Sequence, residues 1–299
     1  DPQEFLWRSY LKTGALVRVG GNSGVNGAAG HDEADDLFEV RWDDVVTLES
    51  RTAMKNRSME LSELVRYRHL LLGVCDITGL IFKITMDGRV FQRYAVADGN
   101  GDEPKPFKSE WATTKDGLLW VGSIGKEWAT PSGAILHRNA EWVKAIDANG
   151  RIENYDWGPV YQALRYATNT SSPGYLWHEA VHWDDRARRW IFLPRKSSEV
   201  GPYTEETDQR MGTNLLIVAS EDFSDIRVRT IGDVEPEYGF TAVRKLPGTR
   251  DLFIALKVKE VDGVQHTKMT VFDVEGRFHL RGGPWLNIGD VKYEGLDFL

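Results

Sequence analysis

Apolar residues in this chain come in short runs separated by turn signals, which is the pattern of β-strands. Residues 70–74 and 80–84 are two such runs, and a Thr-Gly pair at residues 78–79 lies between them. Asp-Gly and Thr-Gly pairs between apolar runs are hairpin signals. Similar runs recur at residues 118–122, 142–146, 190–193 and 252–256. Helical patterns are weak and confined to residues 161–167 and 205–211, so the sequence predicts an all-β chain.

A short tag recurs along the chain, in which an acidic or hydroxyl residue follows a Ser, His or aromatic residue and opens a half-apolar strand. The tag residues, separated by 47, 69, 62 and 53 positions, are Glu63, Glu110, Glu179, Thr241 and Glu294. Repeats of this size are typical of propellers and solenoids. A tag strand followed by two further turn-linked strands is the layout of a propeller blade. The sequence therefore predicts a five-bladed β-propeller, formed as a single domain by residues 1–299, in which residues 1–50 and a short final blade close the ring.

If each tag begins the innermost strand of its blade, four glutamates and one threonine converge on a central channel. Carboxylates crowded in this way repel one another unless a hard cation lies among them, and oxygen ligands suit Ca²⁺. The sequence predicts a central Ca²⁺ site with the five tag residues as candidate ligands. Ser62 is an alternative to Glu63 as the ligand of the first blade.

Basic residues lie beside the tags, where an anionic ligand can bridge them and a metal ion. They are Arg57, Lys108, Lys126, Arg195, Lys196 and Arg210. Arginine makes bidentate contacts with phosphate, so this set indicates a phosphorylated ligand. Residues 122–126 lack the spacing of a P-loop, which excludes that motif. His178 is a candidate base, although a packed structural role is favoured for it.

The composition limits the classes of binding partner and the cellular compartments that are expected for this chain. The chain has 299 residues and a net charge of −8, which argues against a nucleic-acid partner. Its single cysteine, Cys75, excludes an internal disulfide and a cysteine-rich zinc site. No apolar run approaches the ~20 residues that span a bilayer, so stable membrane insertion is not expected. A start on Asp1 and sequons at Asn56 and Asn169 are compatible with a secreted glycoprotein.

Longer motifs occur in a fixed order: MELSEL (59–64), FKSEW (107–111), VGSIGKEW (121–128), PGYLWHE (173–179), FLPRK (192–196), GFT (239–241) and VKYEGL (291–296). Through them nearly the whole chain resembles the calcium-activated nucleotidase family, the apyrases of blood-feeding insect saliva and their vertebrate ER/Golgi relatives. The resemblance implies a five-bladed propeller whose central Ca²⁺ is held at Ser62, Glu110, Glu179, Thr241 and Glu294. It also implies hydrolysis of nucleoside di- and triphosphates, such as ADP, GDP and UDP, to the monophosphate, in a secreted protein or in the ER/Golgi lumen.

The chain departs from the family pattern at three places. Family members usually begin with a strand carrying an IADLD-like motif, and this sequence starts after it, near residues 7–14. Cys75 stands where an Asp is common before Asp76, and Thr241 stands where a Ser is usual. The family's N-terminal strand is therefore expected to be absent.

The expected reaction is attack of water on the terminal phosphorus, with Ca²⁺ polarising phosphate oxygens and positioning that water. Glu127 is the candidate for orienting the water, and Arg195 is the candidate for stabilising the transferred charge. The candidates for substrate binding are Arg57, Lys108, Lys126 and Arg210 for the phosphates and Trp111, with Trp128 and Tyr175 as alternatives, for the base. The expected partners are nucleoside di- and triphosphates, and the expected state is a monomer or weak dimer.

Two other function classes are left open by the sequence. A calcium propeller hydrolase acting on esters or lactones predicts no role for the basic residues. A non-catalytic propeller predicts binding of calcium or nucleotide without turnover.

Overall fold

The computed structural model describes residues 5–20, 36–130 and 134–299, which are organised almost entirely as β-strands. The chain begins with a long antiparallel hairpin of β1 (Trp7–Gly20) and β2 (Leu37–Ser50). Four antiparallel four-stranded sheets follow it in the described part of the chain. We call them blades I to IV, and an all-β fold is confirmed.

The blades are formed by consecutive strands, apart from a short two-stranded insertion in blade II. Blade I contains β3 (Leu61–Tyr67), β4 (Leu70–Cys75), β5 (Leu80–Ile84) and β6 (Val90–Ala95). Blade II contains β7 (Trp111–Lys115), β8 (Leu118–Gly122), β11 (Trp142–Ile146) and β12 (Ile152–Asp156), with β9 (Trp128–Ala129) and β10 (Ile135–His137) as the insertion. Blade III contains β13 (Tyr175–Asp184), β14 (Arg189–Ser198), β15 (Leu215–Ser220) and β16 (Ile226–Thr230). Blade IV contains β17 (Tyr238–Lys245), β18 (Leu252–Val261), β19 (Val264–Asp273) and β20 (Leu286–Gly289).

The hairpins form where the sequence places its turn signals. Asp116 and Gly117 join β7 to β8, and both have positive φ angles, 51° and 77°. A two-residue turn with both φ angles positive matches the right-handed twist of the strands that it joins, and Asp-Gly adopts it readily. The weak helical signal at 161–167 corresponds to α1 (Gly158–Ala167), whereas the signal at 205–211 produces only a short 3₁₀ turn at Asp208–Arg210. None of the described helices is long and apolar enough to cross a membrane.

Apolar clusters join each blade to the next, which gives a propeller-like arrangement. Tyr67 and Val121 belong to the cluster between blades I and II. Trp111 and Trp190 belong to the cluster between blades II and III, against which α1 also packs. The cluster between blades III and IV includes Phe240. The innermost strands β3, β7, β13 and β17 lie side by side in that order and surround the centre.

The described residues form four complete blades and not the five that the sequence predicts. Blade IV and blade I are separated by the β1–β2 hairpin and the C-terminal residues 290–299. Phe38 of the hairpin packs with residues of blade IV, and Leu11 packs with residues of blade I. The Lys12 ammonium also donates to the Ile288 carbonyl at 3.0 Å. No fifth four-stranded sheet forms among the described residues, because residues 7–20 and 37–50 make two long strands and residues 290–299 make none.

Candidate active site

The tag residues lie at irregularities in the innermost strands. In blade I, Leu61 pairs with Cys75 and Glu63 pairs with Val74, so Ser62 between them has no cross-strand partner. The residues skipped in the same way on β13 and β17 are Glu179 and Thr241. In blade II the Glu110 amide donates to the carbonyl of Gly122, which is already the partner of Trp111. A bulge of this kind re-aims the side chain of the extra residue.

Three of the predicted carboxylates meet in one cavity of about 440 Å³. Glu110 and Glu179 are each 3% exposed, and the Glu294 side chain is 11% exposed. The Ser62 hydroxyl and the Asp76 carboxylate also line the cavity. The bulges therefore bring residues that are far apart in sequence to a common buried space.

Each of these carboxylates contacts a basic side chain. Arg195 Nη1 lies 2.6 Å from Glu179 Oε2 and 3.3 Å from Glu294 Oε1. Lys292 Nζ lies 3.0 Å from Glu294 Oε1. Lys108 pairs with Glu110 and, at 2.9 Å, with Asp76 Oδ2. The cavity thus alternates acidic and basic groups and suits a ligand that itself combines a cation with anionic oxygens.

Burial and mutual repulsion shift the pKa values of the carboxyl groups. Burial raises the pKa of Glu110 to about 8, against the opposing effect of Lys108 and with a further contribution from the Glu179 charge. Burial also raises the pKa of Glu294, although Lys292 opposes the shift. Burial acts in the same direction on Glu179, but Arg195 and Lys292 outweigh it and hold that pKa below its ordinary value.

The donor set fits a hard cation such as Ca²⁺. Three carboxylates and the Ser62 hydroxyl offer only oxygen atoms, which Ca²⁺ prefers. Among the described residues, no three or more His, Cys, Asp or Glu side chains are arranged so that they could hold a metal ion as they stand. Lys108, Arg195 and Lys292 contact the carboxylate oxygens. Thr241 is fully buried and donates its hydroxyl to the Tyr293 carbonyl at 3.4 Å.

Glu63, the tag residue of the first blade, lies outside the cavity. The bulge at Ser62 turns the next side chain away, and the Glu63 carboxylate is fully buried against Arg244, with Oε2 and Nη1 3.1 Å apart. Its Oε1 accepts hydrogen bonds from the Leu64 and Leu296 amides at 3.0 and 3.2 Å. The cavity is therefore lined by Ser62 and not by Glu63.

Of the remaining predicted site residues, some line the cavity and others lie outside it. Arg195 and Lys108 line the cavity. Trp111 does not, since it is fully buried between blades II and III with its Nε1 donating to the Ser123 carbonyl at 3.0 Å. A ring without exposed surface cannot stack on a nucleobase, so that expectation is corrected. Glu127 also lies outside the cavity and pairs with Arg165 at 2.8 Å.

The other cations occupy the surroundings of the cavity. Lys126 donates to the Glu127 carbonyl at 2.8 Å and lies over the Tyr203 ring. Arg57 is exposed and pairs with Glu60, which does line the cavity. Arg210 is exposed and lies 3.5 Å from Glu237 and 3.4 Å from Asp262, beyond the residues that line the cavity.

Several cavity residues are not among the candidates from sequence. They include Asp76, Trp177, Asp208, Glu260 and Lys292. Lys292 is two residues before Glu294 in the last tag, so its place in the sequence was enough to identify it as a candidate cavity residue. Asp208 and Glu260 belong to blades III and IV and reach the cavity only through the packing of the ring, which leaves no local trace in the sequence.

Comparisons with known proteins agree with one family over the whole length. The family profile described as Apyrase matches residues 2–299. The rat protein named soluble calcium-activated nucleotidase 1 is 40% identical over 299 residues, which cover 99% of this chain and 70% of the rat protein. An apyrase of Cimex lectularius is 38% identical over 272 residues, or 90% of this chain and 73% of its own. Apyrase apy-1 of Caenorhabditis elegans is 36% identical over 295 residues, or 98% of this chain and 79% of its own.

Proposed function

The chain belongs to the apyrase family, and we propose that it hydrolyses nucleoside di- and triphosphates to the monophosphate and phosphate with Ca²⁺ as cofactor. The observation that carries this proposal is the cavity in which Glu110, Glu179 and Glu294 alternate with Lys108, Arg195 and Lys292. Buried carboxylates supply a site for a hard cation, and the basic groups beside them supply a site for phosphate oxygens. The enzyme is a nucleotide phosphohydrolase.

The proposed metal ligands are Ser62, Glu110, Glu179 and Glu294, with Thr241 supporting the backbone of Tyr293 next to the last of them. When bound, Ca²⁺ supplies Lewis-acid polarisation of the phosphate oxygens. Arg195, Lys108 and Lys292 lie beside these carboxylates, where they would bind the terminal phosphate and stabilise the charge that it carries during transfer.

Asp76 is better placed than Glu127 to orient the attacking water. It lines the cavity, and its buried Oδ1 has no hydrogen-bond partner among the described residues. A free carboxylate oxygen next to the bound phosphate can accept a proton from a water molecule and point its oxygen at phosphorus. Glu127, in contrast, is held by Arg165.

The fifth sector of the ring is proposed to be the β1–β2 hairpin together with residues 290–299. Its support is the pair of apolar clusters that join this sector to blades IV and I, as the other three join neighbouring blades. The C-terminal segment carries Glu294 to the cavity, so this sector has the same role as an innermost strand. The proposed location is outside the cell or in the ER/Golgi lumen, and the proposed oligomeric state is a monomer or weak dimer.

Phosphate release from a substrate panel tests the proposed reaction. With Ca²⁺ present, ADP, GDP, UDP and ATP are expected to yield phosphate, whereas AMP is not, because it lacks a phosphoanhydride bond. A lactone and a carboxylic ester belong in the same panel. Turnover of those two without release from any nucleotide would replace the proposal with an ester or lactone hydrolase.

Replacing Arg195 with methionine is expected to lower kcat/KM for ADP by about 100-fold, as removal of a transition-state donor typically does. Arg210→Met is the matched control, because Arg210 is an exposed cation outside the cavity, and its activity should stay within about threefold of wild type. Steady-state rates at saturating Ca²⁺ provide the comparison. Equal losses in the two variants would show that the basic groups act only through general electrostatic attraction.

A further inference from the structure

Two aromatic rings stand side by side at the edge of the cavity. Trp177 is on β13 and lines the cavity, and Tyr203 is in the segment between β14 and β15. The two rings are stacked, with centroids 5.6 Å apart and planes inclined by 29°. Tyr175 meets the edge of Tyr203 at 6.0 Å. We call Trp177 and Tyr203 the ring pair.

The ring pair differs from the aromatic residues that hold the blades together. Neither ring belongs to any of the apolar clusters of the described chain, and both are half-buried. Trp111 and Trp190, in contrast, are almost completely buried between blades. Partly exposed rings beside a charged cavity are available to a ligand, whereas rings in the core are not.

Ammonium groups accompany both rings. Lys196 Nζ lies 5.2 Å from the Trp177 centroid, and Lys126 Nζ lies 5.3 Å from the Tyr203 centroid. Trp177 is also linked directly to the carboxylates, because its Nε1 donates to Glu179 Oε1 at 2.8 Å. The ring pair therefore adjoins the end of the cavity where phosphate is proposed to bind.

We propose that the ring pair binds the base of the nucleotide, inserted between Trp177 and Tyr203; this inference rests on the proposed function. Two stacked contacts of about 3.5 Å each need about 7 Å between the rings, so the pair opens by about 1.5 Å. Tyr203 is in a segment without helix or strand at residues 199–207, which permits the shift. Trp177 stays fixed on β13 and sets the plane of the base.

Stacking accepts every base but increases with ring area. The ring pair should therefore favour purine over pyrimidine nucleotides and distinguish adenine from guanine only weakly. The specificity that follows is set by Trp177 and Tyr203, not by the metal ligands.

Tyr203→Ala tests the inference better than a change at Trp177, whose indole also holds Glu179. KM for ADP is expected to rise about tenfold, in line with the loss of one stacking contact, and the preference for ADP over UDP should fall towards one. Inhibition by tripolyphosphate, which has no base, should stay within about twofold of wild type. Tyr203→Phe should restore wild-type values because it keeps the ring.

Tyr166→Ala is the matched control, since Tyr166 is 84% exposed on α1, outside the residues that line the cavity. An unchanged KM for ADP in Tyr203→Ala would overturn the inference, as would equal losses for ADP and tripolyphosphate. Both results presuppose a wild-type enzyme that releases phosphate from nucleotides. A wild type without that activity refutes the proposed function instead, so the two failures are distinguishable.

Discussion

Replacing Arg244 with methionine is expected to lower the free energy of unfolding by about 3–5 kcal/mol, the typical effect of removing one partner of a buried ion pair. Arg244 is 3% exposed at the centre of the ring, and its partner Glu63 is fully buried. The guanidinium also donates to the Val243 and Ala112 carbonyls at 2.7 and 3.0 Å and to the Leu64 carbonyl. It therefore links the innermost strands of blades I, II and IV.

The reason for so large an effect is the charge left behind. Without Arg244, the donors that the described residues still offer the Glu63 carboxylate are the amides of Leu64 and Leu296. Burial already raises the pKa of Glu63 well above its ordinary value while Arg244 opposes the shift, so the unpaired carboxylate is strongly disfavoured. Adding Glu63→Gln to Arg244→Met should recover part of the lost stability, because the uncompensated charge disappears.

Urea unfolding at a fixed Ca²⁺ concentration measures all three variants. Arg227→Met is the matched control, because Arg227 and its partner Asp225 are both exposed, and it should leave the midpoint unchanged. A shift for Arg244→Met as small as that of the control would mean that the central ion pair does not hold the ring together.

Replacing Glu179 with glutamine is expected to lower nucleotide hydrolysis by at least about 100-fold and to weaken Ca²⁺ binding at the same time. Calcium affinity depends on the number of charged ligands, and this change removes one charge with little change in shape. Glu179 also holds Arg195 at 2.6 Å, so the glutamine leaves that guanidinium without its strongest acceptor. Loss of the metal and misplacement of the phosphate-binding group act in the same direction.

Isothermal titration of chelator-treated protein with Ca²⁺, followed by rate measurements on the same samples, separates the two effects. Glu153→Gln is the control, because Glu153 lies on the outermost strand of blade II with about half of its side chain exposed. Wild-type Ca²⁺ affinity in Glu179→Gln would remove Glu179 from the metal ligands, whatever happens to the rate.

The repeat of tags correctly predicts a propeller-like ring, but the predicted number of complete four-stranded sheets, five, is too high. Each tag marks a position near the centre, and Glu294 reaches it on a C-terminal segment that forms no strand in the described part of the chain. A count of tags therefore does not give the number of four-stranded sheets. The long antiparallel pair of β1 and β2 contacts blades IV and I, and no local sequence pattern encodes those contacts.

The choice between Ser62 and Glu63 shows where strand periodicity stops being informative. Side chains alternate between faces along a regular strand, and a single bulge exchanges the faces beyond it. Alternation alone favours Glu63 as the residue that faces the cavity, whereas with the bulge it is Ser62 that lines the cavity. The resemblance to the family favours Ser62, which agrees with the position of the bulge in this chain.

The prediction that Trp111 binds the base is wrong for a different reason. It directly follows the tag residue Glu110, which suggests a place beside the ligand. Its ring instead occupies the space above Gly122, where a Cβ atom would lie 2.1 Å from the ring, and it closes the core between blades II and III. The pairing of a large ring with a glycine on the adjacent strand is visible only once the register of β7 and β8 is known.

The most direct test of the calcium-dependent cavity is a Ca²⁺ titration of phosphate release from ADP, starting from chelator-treated wild-type protein. Activity is expected to be absent at the start, to rise with Ca²⁺ to a plateau, and to disappear again when chelator is added. The curve should require the carboxylates, so Glu179→Gln should shift it to higher Ca²⁺ concentration or abolish it. Full activity in excess chelator would contradict a reaction that depends on calcium held by Ser62, Glu110, Glu179 and Glu294.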